Sequence, residues 1–88
     1  MTNSEILDII KEIVFYVSGI RTLTMDTDFV KDLALNSLDV ANMVAAFEER
    51  FQVRIPVTDV WKMAQVRDVV EYIQNWDQVS GLPGRTEK

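Results

Sequence analysis

"LALNSLDVANMVAAFEERF", residues 33–51, decides how this chain folds. Val40, Met43, Val44, Phe47 and Phe51 recur at the spacing of a helix that buries one face, and Asn42, Glu48, Glu49 and Arg50 fall away from that stripe. Leu38, Ala41 and Ala45 form a second, smaller apolar flank, more than one buried face needs. The helix is expected from about Ser37 to Phe51. It ends before "VRIP", because Pro56 disfavours helical backbone at Ile55.

Working outward, the N-terminal segment repeats the pattern. Ile6, Ile9, Ile10, Ile13, Val14, Val17 and Ile20 mark a helix with one buried side. Thr2 and Glu5 have the spacing of a capping box, and Gly19 is a stop. Between Gly19 and Asn36 the pattern weakens into turn and cap residues. Leu23, Phe29, Leu33 and Leu35 recur there and are expected to pin a long loop to the core, with a turn of helix near Phe29 to Leu33.

Beyond Pro56, residues 57–63 make a short helical turn that carries Val60 and Met63 inward. A last helix over 65–76 buries Val66, Val69, Val70 and Ile73. The expected architecture is all-α: a four-helix bundle of three longer helices and one short one, with a long first loop. Residues 1–76 form its single domain, and 77–88 a flexible tail containing two Gly and one Pro.

Composition narrows the function. The net charge is −5, which opposes a nucleic-acid or anionic-membrane surface. Residues 1–36 hold six acids and three bases, 37–63 four and three, and 64–88 four and three, so the acidity is weighted toward the N-terminal third. The chain has no Cys and no His, which removes thiolate chemistry, the commonest metal ligand and the commonest general base near neutral pH. The longest apolar run, Ile13 to Val17, is too short to span a bilayer, and the N-terminus lacks the features of a secretory signal. A cytoplasmic monomer is expected, without membrane insertion.

No pair of acids lies on an apolar face where burial would raise a pKa, so a non-catalytic protein is expected. "DTDFVKD" offers Asp26, Asp28 and Asp32, but a calcium loop counted from Asp26 meets Val30, Lys31 and Ser37 at its fifth, sixth and twelfth positions and fails. No metal site is expected; these acids cap turns. Ser37 has two readings. Asn36 or Ser37 is the N-cap of the central helix, with Asp39 placing negative charge in its first turn. Alternatively Ser37 is an exposed attachment point, because a helix N-terminus favours a phosphate group.

The order of these pieces resembles the acyl carrier protein family over residues 4–76. The family's run D-x-x-F-x-x-D-L-G-x-D-S-L-D is matched by Asp26, Phe29, Asp32, Leu33, Ser37, Leu38 and Asp39. Glu48, Glu49 and Phe51 match its Glu-Glu-x-Phe, and Ile55 and Pro56 its Ile-Pro. The resemblance implies a 4'-phosphopantetheine arm on Ser37, taken from coenzyme A by a phosphopantetheinyl transferase. That arm would carry acyl groups as thioesters to acyl-loading and acyl-transferring enzymes of fatty-acid, lipid or polyketide-type biosynthesis. It also implies an acyl-chain pocket of Met43, Phe47, Val60 and Met63, with a partner face of Leu38, Asp39, Asn42, Ala45, Glu48, Glu49 and Trp61.

The chain departs from the family at several points. Asn36 stands where the family has Asp, and Ala34 where it has Gly. Asn42, Arg50, Val57 and Trp61 replace acids, leaving a net charge of only −1 over 37–63. Trp61 is then either core or an aromatic anchor, and the partners are expected to dock through basic or apolar patches. These departures point to a dedicated pathway. An aminoacyl, peptidyl or D-alanyl carrier is the related alternative, and a helical adaptor without a prosthetic group the alternative of another class.

Overall fold

The structure, a computed structural model, describes residues 2–80. Helix α1 spans Asn3–Ser18, α2 Ser37–Phe51, α3 Val57–Val60 and α4 Val66–Ser80. This is the expected all-α arrangement of three longer helices, one short one and a long first loop.

Each helix end follows from local chemistry. The Thr2 hydroxyl accepts from Glu5 N at 3.1 Å and the Glu5 carboxylate accepts from Thr2 N at 2.8 Å, completing the capping box of α1. Gly19 closes α1 in the left-handed conformation (φ 79°), donating its N–H to Phe15 O. α2 ends at Gln52, also left-handed, and Val53 N donates to Glu48 O. α4 runs past the Trp76 boundary to Ser80, because no Gly or Pro interrupts 77–80. The remainder of the expected tail, 81–88, lies outside the described residues.

The core is built around α1, which packs against both α2 and α4. Ile6, Ile10, Ile13 and Val14 are buried on its inner side. Met43 and Phe47 meet them from α2, and Val66, Val69, Val70 and Ile73 from α4. Leu23, Phe29, Leu33 and Leu35 are all buried, so the loop is pinned where its apolar residues recur. Val40, Val44, Phe51, Val60 and Met63 are only half-buried against this core.

Between Phe29 and Leu33 the chain makes turns. Asp32 N and Leu33 N both donate to Asp28 O, and Ala34 N to Val30 O, but no regular helix forms. The loop also supplies the N-terminus of α4: Val66 N donates to Thr27 O and Arg67 N to Met25 O, each at 2.9 Å. Two donors left open by the helix geometry are thereby satisfied.

Ala34 adopts φ 55°, a left-handed conformation in which a Cβ is strained. Ala34→Gly is expected to stabilise the fold by about 0.5–1 kcal/mol, the strain relief outweighing the extra unfolded-state entropy of glycine. Urea unfolding of the two forms checks the sign.

Candidate functional site

Asn36 and Ser37 mark the junction of loop and α2, and the structure divides their roles. Asn36 is the N-cap: its Oδ1 accepts from Asp39 N at 2.8 Å, and the Asp39 carboxylate lies 3.5 Å from Asn36 N. Ser37 is therefore the first helical residue and is not needed as a cap. It is exposed, and its hydroxyl has no hydrogen-bond partner among the described residues. Buried Leu35, two positions earlier, anchors the approach to it, its N–H donating to Phe29 O at 3.2 Å.

The preceding turn is held by carboxylates. Asp28 Oδ1 accepts from Val30 N at 2.9 Å and Lys31 N at 2.8 Å, while Asp32 Oδ2 accepts from Asp28 N at 2.8 Å. The hydrogen bond from Lys31 N is the main cause that holds the Asp28 carboxyl below its usual range, with Val30 N and the Lys31 charge adding to it. Asp26 pairs with Arg67 of α4. Asp28 and Asp32 thus act as turn caps, whereas the Asp26 carboxylate caps no turn.

An apolar cavity of about 300 Å³ lies beneath the site. Met43, Phe47, Val60 and Met63, the expected pocket residues, all border it, together with Phe29 and Val69. A wider surface groove opens beside Ser37 and runs along α2 to Val57 and Trp61. Val30, Val40, Val44, Ile55, Val60 and Trp61 border both spaces, so the groove at Ser37 and the cavity adjoin.

The structure spreads the expected partner residues over different tasks. Leu38, at 69% exposure, and Trp61, at 76%, are open to solvent, which resolves Trp61 as a surface residue. Asn42, Ala45 and Glu49 are also exposed. Glu48 is instead turned to a structural bond, its Oε2 accepting from Ile55 N at 2.7 Å. Asp39 serves the cap, and Asp59 accepts from the Tyr72 hydroxyl and pairs with Lys62. Arg50 pairs across to Glu12 of α1 at 3.0 Å. Sequence reasoning missed the Glu48–Ile55 and Asp59–Tyr72 bonds and the exposed Val30, since none follows from helical periodicity. A Glu seven residues ahead of the chain reversal carries no local signal of its target.

The arrangement fits a phosphopantetheine group. A free hydroxyl stands at a helix N-terminus, where the backbone field favours a phosphodiester, and it opens onto apolar space.

Comparison with known proteins points the same way. The family model for the phosphopantetheine attachment site matches residues 4–73. An acyl carrier protein of Campylobacter lari is 40% identical over 77 residues, covering 80% of this chain and 94% of the relative. Acyl carrier proteins of Campylobacter jejuni subsp. jejuni and subsp. doylei are each 43% identical over 51 residues, 58% of this chain and 66% of the relative.

The bonded carboxylates make the fold acid-sensitive. Asp28 and Glu5 both have lowered folded-state pKa values, so their stabilisation is present above the unfolded carboxylate range and is lost as the pH falls through the folded values. Urea midpoints measured from pH 7 to pH 2 are expected to decline below about pH 4. Asp28→Ala is expected to lower the pH 7 midpoint and flatten the acid limb.

Proposed function

The chain belongs to the acyl carrier protein family, a group of phosphopantetheine-bearing carriers, and from that premise we propose that Ser37 bears the arm and that the chain serves a dedicated acyl pathway. The observation that carries the assignment of Ser37 is its free, exposed hydroxyl at the first position of α2, released from capping duty by Asn36. When bound, the group supplies a terminal thiol that holds an acyl group as a thioester. The chain itself supplies the rest. The α2 N-terminus favours the phosphodiester, and the Ser37 groove and the cavity behind it receive apolar cargo.

The lining is mostly apolar, with Asp28 and Lys31 its charged members, which supports an acyl rather than an aminoacyl cargo. Met43 and Met63 supply adaptable walls, while Phe47 adds bulk.

Partners are enzymes that load and use the acyl group. The docking face, on this reading, is apolar where fatty-acid carriers are acidic. Leu38, Val57 and Trp61 are exposed beside Ser37, while Asp39, Glu48 and Asp59 are engaged within the molecule. A partner then finds an aromatic anchor and little long-range field.

Two measurements test this. Incubation with a broad-specificity phosphopantetheinyl transferase and coenzyme A is expected to add one phosphopantetheine mass, and Ser37→Ala to abolish the gain; an adaptor without an arm shows no gain in either form. Offered to a fatty-acid synthase in competition with that system's own carrier, the loaded chain is expected to be used about tenfold or more slowly, the loss that weakened steering and mismatched contacts produce. Equal use would overturn the dedicated-pathway reading.

A further inference from the structure

The junction of loop and α2 fixes what a modifying enzyme meets beside Ser37. Asn36 Oδ1 accepts from Asp39 N at 2.8 Å. That bond settles the orientation of the side-chain amide, because a backbone N–H can donate only to its oxygen. The nitrogen, Nδ2, is therefore the outer atom of an exposed residue, and it has no hydrogen-bond partner among the described residues. Ser37 follows directly, and Leu38 stands 69% exposed on its other side.

The charges near the hydroxyl are turned elsewhere. The Asp39 carboxylate lies back over the cap, with Oδ2 3.5 Å from Asn36 N. Asp28 and Asp32 hold backbone N–H groups of the preceding turn. Every carboxylate between residues 28 and 39 thus faces a backbone donor, and the outward groups next to Ser37 are a neutral amide and a leucine. An aspartate in place of Asn36 would cap the helix equally well through one oxygen. Its second oxygen, charged, would stand where Nδ2 stands now. The two residues therefore differ in one outward atom: an uncharged donor against an anionic acceptor.

We propose that Asn36 is a specificity-determining residue for the loading of Ser37. Its outward amide refuses transferases that dock through a cationic site and admits those whose site offers a hydrogen-bond acceptor or an apolar surface. This rests on the acyl-carrier reading. In the loading step, Ser37 Oγ bonds to the phosphorus of coenzyme A that carries the pantetheine. The bond from that phosphorus to the adenosine bisphosphate breaks, and the serine proton passes to a base of the transferase. Asn36 takes no part in these bonds; it acts on docking. An amide N–H placed against a Lys or Arg sets donor against donor, and burying both without an acceptor is costly.

The test uses the full, unloaded chain with Asn36→Asp, which keeps the cap and adds the charge, and Asn36→Ser, which keeps a cap and removes the amide without adding charge. Loading from coenzyme A is followed by intact mass with two transferases, one whose carrier-docking face is lined by Lys and Arg, the other of broad specificity. With the basic-faced enzyme, Asn36→Asp is expected to raise kcat/KM about tenfold, through KM with kcat nearly unchanged, the gain of one charge-assisted contact. The gain is expected to shrink to about threefold in about 0.5 M salt. Asn36→Ser is expected to stay within about threefold of the parent chain, and the broad-specificity enzyme to load all three forms within about threefold of one another. Urea midpoints of the three forms are expected to agree, which removes the fold as the cause. Equal loading of the parent and Asn36→Asp by the basic-faced enzyme overturns the proposal. So does an equal gain in Asn36→Ser, or a gain that salt leaves untouched, since either reduces Asn36 to a helix cap. Absence of added mass in every form with both enzymes is the separate failure of the carrier reading, and takes this proposal with it.

Discussion

Everything in this fold depends on the burial of one side of α1 between α2 and α4. Ile6, Ile10 and Val14 are fully enclosed there, and Phe47, Val66 and Val70 are enclosed opposite them. Each such side chain contributes about 1.5–3 kcal/mol by leaving water. In a chain this small, that has to offset most of the conformational entropy of folding. Outside this three-helix contact, the first loop buries Leu23, Phe29, Leu33 and Leu35 but has no regular helix, and α3 buries no side chain fully, so both draw on directed bonds. Asp28 ties the loop's turn, Thr27 and Met25 carbonyls tie the loop to α4, Glu48 ties the exit from α2, and Tyr72 ties α3.

That division places the candidate serine. Ser37 starts a helix whose body packs into the core, and it borders a groove shared with loop and α3 residues such as Val30, Val57 and Val60. A carrier uses both: an address for the enzymes that act on its arm, and apolar surface beside it for cargo. The chain carries no Cys or His. This agrees with chemistry that resides on a prosthetic group and on partners. Among the described residues, no helix is long and apolar enough to cross a membrane, and no cluster of three or more potential ligands is placed to hold a metal ion.

The surface around Ser37 carries few free carboxylates: Asp39, Glu48 and Asp59 keep their charge, but each already holds a hydrogen-bond donor of the same chain. Leu38, Val57 and Trp61 stand outward beside exposed Asn42, Ala45 and Glu49. Contact with such a face is short-ranged, so selectivity resides in shape and in the aromatic anchor.

Periodicity made three helices legible, with their buried faces, because the spacing of Ile, Val and Phe along a helix is a local property. The capping box at Thr2, the stop at Gly19, a cap at Asn36 or Ser37 and the break at Pro56 were legible for the same reason: each is decided by backbone groups a few residues away. So was the pinned loop, since Leu23, Phe29, Leu33 and Leu35 have nowhere else to bury. The end of α4 beyond Trp76 was not, nor was the exposure of Trp61, which the pattern left between core and surface. Neither were the bonds of Glu48 to Ile55 and of Tyr72 to Asp59, which join residues seven and thirteen apart. By itself the sequence determined the helices, the core and the family pattern around Ser37. Only the tertiary structure decided which acids are occupied and which apolar residues line the groove and the cavity, because those depend on side chains that meet only after the helices have packed.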